Sequence, residues 1–246
     1  MEIIISQTKT ELAQIAAAKA AAVLNRAIEK HGHTTFIAAT GASQIEFLKV
    51  LTADRSVDWS KATMFHLDEY VDLPESHPAS FRKYLKERII DHIHPGKCFL
   101  IEGDAPNHRA EVARLNEIIS KYTIDLALVG VGENSHLAFN DPPADFDTTD
   151  PYIIVDLDSA CRQQQVGEGW FADVTEVPAK AISMSITQIL KADTIIAIVP
   201  HARKAKAVAK CFGTAKVSNL YPASILKQHK NALLYLDKES ARLLVR

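Results

Sequence analysis

The stretch IDLALVGVGENSHLAFNDPP, Ile124 to Pro143, decides how the fold is read. Residues 124–131 are apolar or glycine everywhere except Asp125, with no alternation. A strand of that pattern is buried on both faces, and such strands belong to parallel sheets with helices on either side. The run ends in Gly-Val-Gly, and Glu133, Asn134, His136, Asn140 and Asp141 then fall within nine residues. That is a dense polar set for a connecting turn. In open α/β sheets ligands bind outside the carboxyl ends of the strands, so the residues leaving each strand matter most.

Working outward, short β-branched runs alternate with helical patterns. Strands are expected at 2–6, 34–40, 62–68, 97–101, 152–155, 181–185, 194–199 and 232–236. Thr8 and Glu11 offer a capping box for a helix running to about Lys30, which Gly32 would end. Further helices are expected at 43–51, around Phe81–Leu85 with Pro78 in the first turn, at 107–121, 202–211 and 223–229. The sequence predicts an α/β, Rossmann-like fold: a mostly parallel sheet with helices on both faces. Without repeats or a Gly/Ser linker, residues 1–246 are expected to form a single domain, with 160–176 as a lid segment.

Composition narrows the function classes. Hydrophobic residues make up 47% and charged residues 24%, and the net charge is -2, so bulk electrostatics favours neither nucleic acid nor an anionic membrane. Cys98, Cys161 and Cys211 form no CxxC pair, which suits a reducing compartment and not a zinc ribbon. The first residues are expected not to be a signal peptide, and no apolar run reaches the ~18 residues of a membrane span. A cytoplasmic location is expected.

Four strand ends carry candidate chemistry. Thr40, Gly41, Ala42 and Ser43 are small residues leading into a helix, where backbone N–H groups can approach an anion; a plain tight turn is the alternative. Arg203 and Lys204 fall in a helix's first turn, where a cation opposes the dipole unless an anion is bound; a solvated basic face is the equal alternative. Asp68 follows the strand at 62–67, and His136 and Asp141 gather at the same edge. With no HExxH and no GxSxG, metal-free general acid–base chemistry by histidine and carboxylates is the economical reading.

The segments TMFHLDEYVDLPESHPASF (63–81) and DLALVGVGENSHLAFNDPP (125–143) resemble the two signatures of the glucosamine-6-phosphate deaminase (isomerase) family. TGAS, VPHARKAKAV and YPASILKQHKNALLYLD follow that family's order, from near Thr35 to near Asp237. The resemblance implies a deaminating aldose–ketose isomerase, classed as a hydrolase or isomerase of amino-sugar metabolism. Its substrate would be a small sugar phosphate, with no metal, organic cofactor, nucleic acid or membrane partner; a homo-oligomer stays open. Asp68 would take the C2 proton and return one to C1, His136 would open the ring, and Asp141 would support the histidine. Thr40, Gly41, Ala42, Ser43 and Lys204 would hold the phosphate.

Three positions depart from the family. Asn134 stands where well-known members carry aspartate. It is expected to accept a hydrogen bond from the imidazole, and Asn134→Asp to raise activity. Asp141 stands where they carry glutamate. Their second phosphate cation has no counterpart, Glu168 lying near its place; Arg162 is the expected substitute, with Arg203 second. The rival readings are galactosamine-6-phosphate deaminase, 6-phosphogluconolactonase and a sugar-phosphate sensor without turnover.

Overall fold

The structure, a computed structural model, describes residues 1–244. Its strands are β1 (Glu2–Ser6), β2 (Thr34–Ala38), β3 (Ala62–His66), β4 (Asp68–Tyr70), β5 (Lys97–Phe99), β6 (Leu126–Val129), β7 (Tyr152–Asp156), β8 (Lys180–Met184), β9 (Thr194–Val199) and β10 (Ala232–Asp237). The α-helices are α1 (Lys9–His31), α2 (Ile45–Ala53), α3 (Phe81–Leu85), α4 (Asp91–Ile93), α5 (His108–Ile119), α6 (Ser159–Gly167), α7 (Ile186–Ile189), α8 (Ala205–Phe212) and α9 (Lys238–Ala241).

The main sheet has the order β1-β10-β9-β6-β2-β3-β5, and every described pair in it is parallel. From β2 the chain builds outward through β3 to β5, then returns to β2's other side with β6 and continues through β9 and β10. The strand order therefore reverses at β2/β6, the kind of crevice where doubly wound sheets take ligands. Alternation along each strand feeds two cores. Ile37, Phe65, Ala127 and Val129 face one, and Phe36, Ala38, Met64, Leu126 and Leu128 face the other, under the alanine-rich stripe of α1.

Helix ends follow local chemistry. Thr8 accepts from the Glu11 N–H, while the Glu11 carboxylate takes the Gln7 N–H, one residue earlier than a capping box requires. Gly32 ends α1 at φ 77°. Ser80 caps α3, leaving Pro78 in the preceding turn, and residues 222–228 form a 3₁₀ helix, not an α-helix.

The expected strand 62–68 is two strands. Leu67 is the crossing point: its carbonyl accepts from the Met184 N–H at 2.9 Å, and the Tyr152 hydroxyl donates to the His66 carbonyl at 2.7 Å. These bonds lead the chain into a small antiparallel sheet, β4-β8-β7, in which Asp68 lies opposite Ser183. Asp68 thus opens a second strand instead of ending the first.

Candidate active site

One cleft collects the ends of four parallel strands. Thr40–Ser43 follow β2, Asp68 lies just past β3, Gly130–His136 follow β6, and Lys204 follows β9. Gln164, Gln165 and Glu168, in and just after α6, close one side. The cleft opens to solvent.

Two junctions are built alike. After β2, Gly41 takes φ 96° and a 3₁₀ turn, 42–44, runs into α2. After β9, His201 takes φ 83° and a 3₁₀ turn, 202–204, runs into α8. Glycine adopts that angle freely; His201 is held there as the Asp237 carboxylate accepts its N–H at 3.0 Å. The Tyr84 hydroxyl donates to the Gly41 carbonyl at 2.9 Å, and buried Gln44 donates to the Ile198 carbonyl at 3.3 Å, so the first turn is tied to the frame as well.

Lys204 is 3% exposed, and among the described residues its ammonium has neither an ion pair nor a hydrogen bond. Burial lowers its pKa to about 8, with Arg203 adding to the effect and Glu168 opposing it. A buried ammonium without a partner is costly and marks a place for an anion.

His136 is held by its own loop, which bends through left-handed conformations at Ser135 (φ 78°) and Ala138 (φ 51°). The imidazole Nδ1 lies 3.0 Å from Asp141 Oδ1. A carboxylate only accepts, so Nδ1 carries the proton and Nε2 is left to exchange one with a ligand. Asp141 also accepts from the Asn134 amide at 2.8 Å and the Asp158 N–H at 2.9 Å. Burial works against the Asp141 carboxylate, but the His136 bond and charge, the Asn134 amide and the Asp158 N–H outweigh it, and its pKa falls below the usual 3.8. Gly132 is required because a Cβ there would overlap the His136 ring. Asn140 ties the loop to β8 by donating to the Leu137 and Met184 carbonyls at 2.8 and 2.9 Å.

Asn134 does not bond the imidazole, contrary to the sequence expectation. Its carbonyl accepts the His136 backbone N–H at 3.1 Å, and its amide donates to both Asp141 and Asp158, the latter at 3.1 Å. An amide suits the position because it can donate to two carboxylates; an aspartate there would be the third. The Glu133 carboxylate pairs with Arg203 at 3.6 Å.

Asp68 is 6% exposed and lines the floor of the cleft. Burial raises its pKa to about 8, helped by the neighbouring Glu69 and opposed by the Phe139 N–H. Glu69 points away into a structural knot, accepting from the backbone of Tyr70, Phe81 and Arg82 and from the Ser80 hydroxyl. The two adjacent acids therefore have different surroundings.

Arg162 does not reach the cleft. Its guanidinium donates to the Val174 and Val177 carbonyls at 2.6 and 2.9 Å, closing the segment after α6 on itself. The cause is geometric: α6 presents Gln164, Gln165 and Glu168 to the cleft and Arg162 to the loop that follows. Arg203 pairs with Glu168 at 3.2 Å. Gln164 and Gln165 escaped the sequence reading, because nothing in CRQQQVGEG marks the inward face of a short helix.

His136, Asp141 and Cys161 place donor atoms within 4.8 Å of one another, a set that could in principle hold a metal. Within it His136 Nδ1 and Asp141 Oδ1 are bonded to each other, and burial pushes the Cys161 thiol up.

A strand-end cleft with a buried acid, a carboxylate-held histidine and an unpaired lysine defines an α/β enzyme site for a small anionic substrate. The chain matches the family described as glucosamine-6-phosphate isomerases/6-phosphogluconolactonase over residues 7–235, and it belongs to that family. It is 35% identical to a glucosamine-6-phosphate deaminase of Streptococcus pneumoniae (strain 70585) over 214 residues, 87% of this chain and 88% of that protein. A solved monomeric glucosamine-6-phosphate deaminase superposes with a TM-score of 0.90 at 28% identity, covering 99% of this chain and all of that one (100%). A 6-phosphogluconolactonase of Shewanella baltica OS155 gives 0.80 at 17% identity over 96% of this chain and 97% of its own, a likeness of fold alone.

Proposed function

We propose that the chain is a deaminating aldose–ketose isomerase that converts glucosamine 6-phosphate and water to fructose 6-phosphate and ammonia. The observation that carries this reading is buried Asp68, facing the same cleft as the His136–Asp141 pair and the unpaired Lys204. Hydrolysis of a lactone needs one base to activate water. Opening a sugar ring and then shifting a proton between adjacent carbons uses two groups of separate proton affinity, His136 for the ring oxygen and Asp68 for the carbons.

The phosphate would sit against the 40–43 turn and Lys204, supplying binding energy remote from the reacting carbons. His136 Nε2 would exchange a proton with the ring oxygen as the sugar opens, Asp141 keeping Nδ1 protonated and stabilising any imidazolium. Asp68 would take the proton from C2, giving an enolamine, and return a proton to C1. The C2 iminium so formed adds water and expels ammonia. A single aspartate can serve both carbons because they are one bond apart. Its raised proton affinity makes it a stronger base once ionised.

All these side chains come from one chain, so a monomer would suffice for turnover, whether or not copies associate. The segment 160–176 would act as a lid within a single domain, since α6 forms one wall of the cleft. Two aromatic contacts seat it: Phe171 stacks on His77 with centroids 5.4 Å apart, and Trp170 meets Tyr84 edge-on at 6.3 Å. Among the described residues no helix is long and apolar enough to cross a membrane, and all three cysteines are free. Both fit a cytoplasmic enzyme of sugar-phosphate metabolism. The test is ammonia release from glucosamine 6-phosphate and, in parallel, from galactosamine 6-phosphate. Release from the first with fructose 6-phosphate as product supports the reading; release only from the second shifts it to the C4 epimer; silence on both refutes it.

A further inference from the structure

Glu168 lines the same cleft as Lys204 and the 40–43 turn, and its side chain is only 5% exposed. A carboxylate is an unexpected neighbour for a site that holds a phosphate. Its bonds account for part of its capacity. Oε1 accepts from Gln164 Nε2 at 2.9 Å and pairs with Arg203 Nη2 at 3.2 Å, while Oε2 has only the Trp170 indole N–H at 3.3 Å. A carboxylate offers about four lone-pair positions, so Oε2 keeps one. The charges around the phosphate end nearly cancel: Lys204 and Arg203 against Glu168 and Glu133.

Resting on the phosphate reading above, we propose that Glu168 makes this subsite select the singly protonated phosphate, whose P–O–H donates to the Glu168 carboxylate while the other oxygens face Lys204 and the 40–43 turn. A fully ionised tetrahedral anion has no proton to offer and would meet Glu168 with like charge. Phosphate monoesters lose their second proton at about pH 6, so substrate binding would weaken as pH rises through neutrality. The other groups facing Glu168 are Arg203 and Lys204 from the β9–α8 junction, Glu133 from the loop after β6, and Tyr70 and Tyr84 beneath. His136 shares the cleft. Protonation of any of these would change the binding of every anion alike, so the signature is a ratio between two anions.

The experiment is calorimetric titration of the full chain with inorganic phosphate and with sulfate, which carries no proton at these pH values. At pH 6 phosphate should bind about tenfold or more tightly than sulfate, one charge-assisted hydrogen bond against none. Between pH 6 and 7.5 that preference should persist, because inorganic phosphate keeps a P–O–H in both of its ionisation states there, whereas methyl phosphate, titrated in parallel, loses its only proton and should weaken relative to sulfate. In Glu168→Gln the preference should collapse to within about threefold. Equal affinities in the unaltered protein would overturn the inference without touching the deaminase reading, and need no variant. So would a Glu168→Gln protein that weakens for both anions alike, which would mean Glu168 merely holds Arg203 in place. Binding of neither anion, with ammonia release insensitive to Lys204→Ala, would overturn the phosphate site and this inference together.

Discussion

Replacing Asp68 by asparagine separates the cost of burying the carboxyl from its chemical use. In the unfolded chain the carboxyl has the usual value near 3.8, and in the folded protein burial raises it to about 8. The folded state therefore holds the proton more tightly. The stability this contributes is complete below pH 3.8 and is lost as pH rises through the window up to about 8. At 1.36 kcal/mol per pKa unit, the loss between pH 5 and pH 8 comes to about 4 kcal/mol. An amide cannot titrate, so the Asp68→Asn variant should gain that amount on the parent over this range, whatever constant offset the new side chain introduces. Glu69 titrates in both proteins and largely drops out of the difference. With a urea m-value of about 3 kcal/mol per molar, the gap between the two unfolding midpoints should widen by about 1 M from pH 5 to pH 8. Ammonia release should meanwhile fall by about 10³-fold with sugar-phosphate binding retained. In the parent, kcat should rise with pH as Asp68 ionises towards 8. A midpoint gap independent of pH would refute the reasoning, since it would mean that the folded carboxyl is already ionised at pH 5. Lost binding in the variant would make Asp68 structural.

Lys204→Ala should raise KM for the sugar phosphate by about tenfold or more with a smaller change in kcat, and it should fold at least as stably, because it removes a buried unpaired charge. Unchanged KM would remove Lys204 from the phosphate site. The expectation that Asn134→Asp raises activity is reversed by the geometry: a third carboxylate would replace the donor lying 2.8 and 3.1 Å from Asp141 and Asp158. Steady-state kinetics should show kcat falling by about tenfold, the equivalent of ~1.4 kcal/mol, and a gain would sink this account of the loop. Arg162→Ala should leave the intrinsic affinity of the phosphate subsite unchanged while loosening 159–177, read as faster limited proteolysis there. A phosphate-specific KM defect without new cleavage would return Arg162 to the cleft.

The run 124–131, apolar without alternation, required a strand buried on both faces, and only a parallel sheet clothed in helices provides that; the main sheet follows from such runs. Small residues after β2 and basic ones after β9 were equally legible, because strand-end position and residue type alone say which could approach an anion. The motif resemblance reached Asp68, His136 and Lys204, which the fold then gathers in one cleft. The tertiary structure alone decided what depended on partners distant in sequence. Leu67 turns Asp68 into a second sheet only because the Met184 N–H bonds its carbonyl and the Tyr152 hydroxyl bonds the carbonyl of His66 before it. Asn134 reads in the sequence as a partner of the imidazole, because its relation to Asp158, 24 residues away, is invisible locally. Arg162 and Glu168 lie on one short stretch of chain, and residue type alone assigns an anion to Arg162 and not to Glu168. Which one faced the cleft was settled by the turn of α6 and the carbonyls of Val174 and Val177, since a side chain's direction is fixed by the contacts its helix makes and not by its own charge.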